Sequence, residues 1–172
     1  MSETSSLKHV IGLCHVELDR LFLAHQEQLL TGDLLSADAA LQRYRLAHDL
    51  HKRFEDEHLI GPLEDLEDPG PWPAALYGKE HDKIDTQLAR IVGQLGALIE
   101  QDTGGTALRL ELIALLDREK TFKGLCEHHQ EREEAGLLPV LDAQTTAEWR
   151  TKILEPFNTE WQALLATFPR PA

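Results

Sequence analysis

Proline and glycine cut this chain into four long stretches, and that division most constrains what it can fold into. The breaks are Thr31-Gly32-Asp33, the run from Gly61 to Pro73, Thr103-Gly104-Gly105 and Leu138-Pro139. Between them lie proline-free segments of roughly Ser6 to Leu30, Ser36 to Ile60, Ala74 to Asp102 and Thr106 to Leu137. Leu, Ala, Glu and Gln are abundant while Val, Ile and Thr are sparse, which favours helix. Apolar positions recur at helical spacing. Ile11, His15, Leu18, Phe22 and Leu29 share one stripe, and Ala74, Tyr77, His81, Leu88, Leu95 and Ile99 share another. Long helices joined by short turns pack antiparallel. The expected fold is therefore all-α, an up-down-up-down antiparallel four-helix bundle over about residues 6–138. A fifth segment, about residues 145–168, opens on the capping box Thr145-Thr146-Ala147-Glu148. Its stripe of Ile153, Phe157, Trp161, Leu164 and Phe168 suits an additional C-terminal helix on the bundle's flank or end, broken or kinked at Pro156. One domain accounts for all 172 residues.

Charge and composition exclude several roles. A net charge of −13 argues against nucleic acid or an anionic membrane as partner. No apolar run approaches the roughly 18 residues of a membrane span. Met-Ser-Glu-Thr-Ser-Ser has neither the charged region nor the apolar region of a secretory signal, so a cytoplasmic location is expected. Cys14 and Cys126 are too few for a disulfide framework or a thiolate zinc site and read as small buried residues.

Nine histidines are the compositional oddity. His15 and His51 are equidistant from Asp33, His51 and His81 from Leu66, and His81 and His129 from Gly105. In antiparallel helices, residues equidistant from the connecting turn lie at similar height, because each helix rises about 1.5 Å per residue. One imidazole from each helix then falls in a single core layer. An internal repeat adds carboxylates. His51-x-x-x-Glu55-Asp56 leads to Leu59-Ile60-Gly61-Pro62, and His129-x-x-x-Glu133-Glu134 leads to Leu137-Leu138-Pro139. Residues four apart share a helix face. Carboxylates in a core are costly unless paired or bound to a cation. Two metals bridged by Glu55 and Glu133 and capped by His15, His51, His81 and His129 resolve both problems. Imidazole with carboxylate suits iron, manganese or zinc, and the lack of thiolate disfavours a structural zinc site.

The other candidates are weaker. Asp19 and Asp85 also follow a histidine by four, but their shorter side chains suit supporting or solvated roles. His48 and His58 lie near the His51 face without being expected ligands. His9 is expected to face outward, His25 to lie about 15 Å along the axis from His15, and His128 to point about 100° from His129.

The ordered set His15, His51-x-x-x-Glu55, His81, His129-x-x-x-Glu133 resembles the hemerythrin-like (HHE cation-binding) domain family over roughly residues 10 to 142. The resemblance implies a four-helix bundle with a non-haem di-iron centre that meets dioxygen, nitric oxide or peroxide. By that resemblance the four histidines are imidazole ligands and Glu55 and Glu133 the bridges. Two positions differ from the family's oxygen carriers. Tyr77 stands where they have a second third-helix histidine, which points away from simple reversible oxygen carriage. Their last bridging carboxylate follows its histidine by five residues, not four, so Glu134 is the alternative to Glu133.

The leading expectation is a protein with two iron ions, oxo- or hydroxo-bridged, that binds or senses a small diatomic or peroxide ligand. Manganese and zinc rank lower. The alternatives are a di-iron peroxidase, catalase or oxidase with Tyr77 as proton or electron donor, an iron-handling or iron-sensing protein, and an interaction bundle without metal. The physiological ligand and the oligomeric state are not legible in the sequence.

Overall fold

The computed structural model describes residues 6–101 and 104–168, and among these every regular element is helical. In chain order they are α1 (Leu7–Thr31), α2 (Leu34–Glu55), a π-helical segment (Asp56–Ile60), α3 (Gly61–Glu64), α4 (Ala74–Glu100), α5 (Gly105–Arg132), a second π-helical segment (Glu133–Leu137), α6 (Leu138–Gln144) and α7 (Ala147–Ala166). Among the described residues, no helix is long and apolar enough to cross a membrane.

Local chemistry fixes the ends. The Ser6 hydroxyl accepts from the His9 N–H, and Gly32 closes α1 in the left-handed region at φ 79°, its N–H donating to the Leu29 carbonyl. The Asp33 carboxylate opens α2 by accepting from the Ser36 N–H at 3.0 Å. A carboxylate far away in sequence completes the start of α1. Asp142, on α6, accepts from the Leu7 N–H at 2.8 Å, the Lys8 N–H at 3.1 Å and the Ser6 hydroxyl at 2.7 Å. Negative charge at the otherwise unpartnered N–H groups of a helix start is favourable.

The two prolines read as helix ends do not end their helices. Pro62 lies inside the continuous run 34–64, and Pro139 inside the run 105–144. The expected loop from Gly61 therefore begins only at Asp65, and the bundle segment expected to stop near 138 continues to Gln144. The reason is the π segment before each proline. A proline in an α-helix clashes with the carbonyl four residues back and lacks the N–H that would bond to it. A wider turn displaces that carbonyl, as shown by the Leu138 N–H, which donates to Glu133 five residues back. Pro156 likewise leaves α7 unbroken. The cap of α7 is Thr146, whose hydroxyl accepts from the Trp149 N–H at 3.1 Å, while Thr145 turns back to the Leu141 carbonyl. The capping box expected at Thr145 and Glu148 does not form: the cap lies one residue later, where the third helical position is Trp149 and has no carboxylate to return the bond. Thr103, in the third expected break, and Asp102, the expected end of the third segment, lie outside the described residues.

The stripes face a common core. Ile11, Leu18, Phe22 and Leu29 of α1 are buried with Leu41, Tyr44 and Phe54 of α2, Leu88 and Leu95 of α4, and Leu115 and Phe122 of α5. The helix α1 packs on α2 and α6, α2 on α4, and α4 on α5. The helix α7 lies against α2, where Phe54 and Phe157 stack with ring centroids 4.2 Å apart. Such a pair adds about 0.5–1.5 kcal/mol beyond its area.

Candidate metal centre

His15 on α1, His51 and Glu55 on α2, His81 on α4, His129 on α5 and Glu133 at the head of the second π segment converge in the core. Both glutamates are fully buried and the histidines nearly so. They form two groups, each with one donor atom per residue and all donors within 4.8 Å of one another. His15 and His51 make one group and His81 and His129 the other, while Glu55 and Glu133 belong to both. Glu55 lies 3.1 Å from His51 Nε2 and 3.3 Å from His81 Nε2, and Glu133 lies 3.2 Å from His15 Nε2 and 3.1 Å from His129 Nε2. The arrangement follows the internal repeat.

Outward-facing ring nitrogens determine what the inward ones can do. His81 Nδ1 is 2.7 Å from Asp56, His15 Nδ1 2.9 Å from Glu134, and His129 Nδ1 3.2 Å from Glu80. An ionised carboxylate only accepts, so each Nδ1 carries the proton and each Nε2 turns its lone pair inward. His81 Nε2 and His129 Nε2 then face each other at 2.9 Å among carboxylate oxygens. His15 Nε2 and all four oxygens of Glu55 and Glu133 are buried without a hydrogen-bond partner among the described residues. A set of converging acceptors without donors is unfavourable unless protons or cations lie between them. The donor set therefore fits a metal ion in each group.

The ionisation behaviour points the same way. Burial works to lower the pKa of His15, but the Glu133, Glu55 and Glu134 carboxylates outweigh it and carry it up to about 9. His129, opposed by burial in the same way, is carried up to about 10 by Glu133, Glu80 and Glu55. Burial and the charge on Glu133 push Glu55 up to about 7. Glu133 is held well below the usual carboxylate range because His129 and His15 overcome its burial. Burial and the neighbouring His15 drive His51 down instead. The cluster attracts positive charge, which protons supply when no metal does.

Sequence reasoning found the repeated second acids, Asp56 and Glu134, but not their use. Each reaches across to the Nδ1 of a histidine on another helix. That use makes Glu134 the partner of His15, while Glu133 is the carboxylate shared by both groups. Glu80 was not singled out at all. It is buried and held by Arg132, and its position directly before His81 was the available signal.

The remaining histidines separate. His9 and His128 are exposed, and His58 is partly so. His48 stacks on Tyr44 and bonds Asp85 at 3.3 Å, so Asp85 supports His48 rather than the cluster. Asp19 is exposed beside Gln130, its carboxyl raised mainly by partial desolvation. Cys14 and Cys126 are free thiols, and burial pushes Cys126 up to about 12. His25 is fully buried away from the cluster, between the Ala37 carbonyl and Glu119, each at 2.8 Å. His25→Ala is therefore expected to lower stability by about 3 kcal/mol, because it leaves the buried Glu119 with only the Gln26 amide, 2.9 Å away, as a donor, and to leave metal content unchanged. His9→Ala should change neither. Thermal melts with elemental analysis check both variants.

Tyr77 is nearly inaccessible, with its ring 6.5 Å from that of His129. Burial, followed by the charges on Glu133 and Glu80, pushes its hydroxyl up to about 12, while a backbone bond from Leu137 acts in the opposite sense. Gly136, in the second π segment, makes this seat possible. A Cβ there would meet the Trp72 ring at 2.7 Å and the Tyr77 hydroxyl at 3.0 Å.

Compared with protein-family models, curated proteins and solved structures, the chain has no match.

Proposed function

We propose that this chain is a hemerythrin-like protein whose first four long helical runs form an up-down-up-down bundle, with α7 as an added flanking helix. In this reading the buried cluster holds two iron ions and meets a small oxidant such as dioxygen, nitric oxide or peroxide. The observation that carries it is the sharing of Glu55 and Glu133 between two groups, each completed by two histidines. Connections as short as Thr31 to Leu34 support antiparallel neighbours. The imidazole and carboxylate donors suit iron, with manganese and zinc ranked lower. When bound, such a pair of ions supplies redox equivalents and coordination positions beyond the four donors that each group offers.

The chain's own residues do the rest. Asp56, Glu134 and Glu80 orient the rings, hold a proton on each outer nitrogen and raise the basicity of the inner nitrogens that would face the ions. The apolar layers around the cluster exclude water. Tyr77 keeps its proton through the neutral range, its ring 6.5 Å from that of His129 and close enough to Glu133 and Glu80 to feel their charge. This favours, as a second reading, a peroxidase-type or catalase-type reaction in which Tyr77 supplies a proton.

Reconstitution with ferrous iron without oxygen, followed by exposure to air, tests the proposal. About two irons per chain and near-ultraviolet absorption of a bridged iron pair are expected. Zero or one metal per chain overturns it, and iron well above two per chain favours storage. Tyr77→Phe should retain the metal but slow peroxide consumption at least about tenfold, the lower range for loss of a general acid. Unchanged kinetics would return Tyr77 to a packing role.

A further inference from the structure

The internal repeat makes the two groups near-copies, and the differences between them are informative. Asp56 buttresses His81 as Glu134 buttresses His15. The correspondence fails at the remaining pair. His129 Nδ1 bonds Glu80, which is itself buried and clamped by Arg132. His51 Nδ1 is buried and has no hydrogen-bond partner among the described residues. The cause lies in the sequence. Glu80 directly precedes His81 on α4, whereas the residue directly before His15 on α1 is Cys14, which offers no carboxylate. Nor does α7 supply an acceptor to His51, because it presents the Trp161 ring, 6.5 Å from the imidazole. His48, one turn earlier, is engaged with Asp85 instead.

We infer that the two metal positions are unequal and fill in order: the His81–His129 position first, the His15–His51 position second. The inference rests on the two-metal reading above. A carboxylate on the outer nitrogen fixes a ligand imidazole's tautomer, holds its ring in place and raises its basicity, and loss of such a partner costs about 10–100-fold in metal affinity. Both imidazoles of the first position have that support. Only one imidazole of the second has it, and His51 must also keep a buried N–H without an acceptor. When metal is scarce, a form with one metal, held between His81 and His129, accumulates. Glu80 is thus a positioning residue that sets the order of loading.

Calorimetric titration of the metal-free full chain with ferrous iron, under anaerobic conditions, tests this. Two steps are expected, their dissociation constants separated by about 10–100-fold. Glu80→Gln should weaken the first step by about that factor and draw the two together, while Glu134→Gln should weaken the second and spread them further. Two equal sites in the unaltered chain, or a Glu80→Gln chain weakened only in the second step, would overturn the order while leaving the two-metal reading intact. Binding of fewer than two ions would overturn that reading and the order with it.

Discussion

Glu133→Ala is expected to empty both metal positions, whereas His51→Ala should empty only one. Glu133 belongs to both groups, so its loss removes a charged donor from each, while His51 belongs to a single group. Removing one partner from a buried charged set costs on the order of 3–5 kcal/mol, a factor of more than a hundred at each position. Glu55→Ala should behave as Glu133→Ala, since the two carboxylates occupy equivalent places. Elemental analysis after ferrous reconstitution would read near zero metals per chain in the glutamate variants and about one in His51→Ala. If Glu133→Ala and His51→Ala retained equal metal, the shared-carboxylate geometry would be wrong.

Removing the metals should also give the protein a pH dependence that the loaded form lacks. In the metal-free cluster, His15 titrates at about 9 and His129 at about 10, both above the ordinary 6.5. Groups with raised pKa values contribute stability that is complete below about 6.5 and lost as pH rises through the folded values. Glu55, raised to about 7, lowers stability in the same direction from its ordinary 4.5 upward. The metal-free protein should therefore lose several kcal/mol, on the order of 5, between pH 6.5 and 10. For a chain of this size that is a fall of about 10–20 °C in Tm. Bound cations replace the protons, so the loaded protein should show no comparable loss. Melts of both forms at the two ends of this range decide the matter, and parallel behaviour would refute it.

Much of this was legible in the sequence, for identifiable reasons. Helical stripes such as Ile11, His15, Leu18 and Phe22 report a periodic burial pattern, which needs no knowledge of neighbours. The equidistance of His15 and His51 from Asp33 converts sequence position into height. Pro62 and Pro139 signal helix ends only if the helix before them is α, and periodicity does not reveal a wider turn upstream. His25 was legible as remote from the cluster but not as paired with Glu119, because that contact joins α1 to α5 and depends on helix rotation. The use of Glu80 by His129 was hidden for the same reason.

The π segments carry a mechanical implication. Glu55 is the last residue before one and Glu133 the first residue of the other, while His15 and His81 stand within uninterrupted α-helix. In each case a proline two residues beyond the segment withholds a backbone donor, leaving a short stretch of helix with fewer restraints than its neighbours. The framework thus presents those imidazoles from regular α-helix and the two carboxylates from the edge of a wider turn followed by proline. A change in spacing between charges at the centre would be absorbed by slight travel of Glu55 and Glu133 along their own helices. His15 and His81, and the core packed around them, would not have to move.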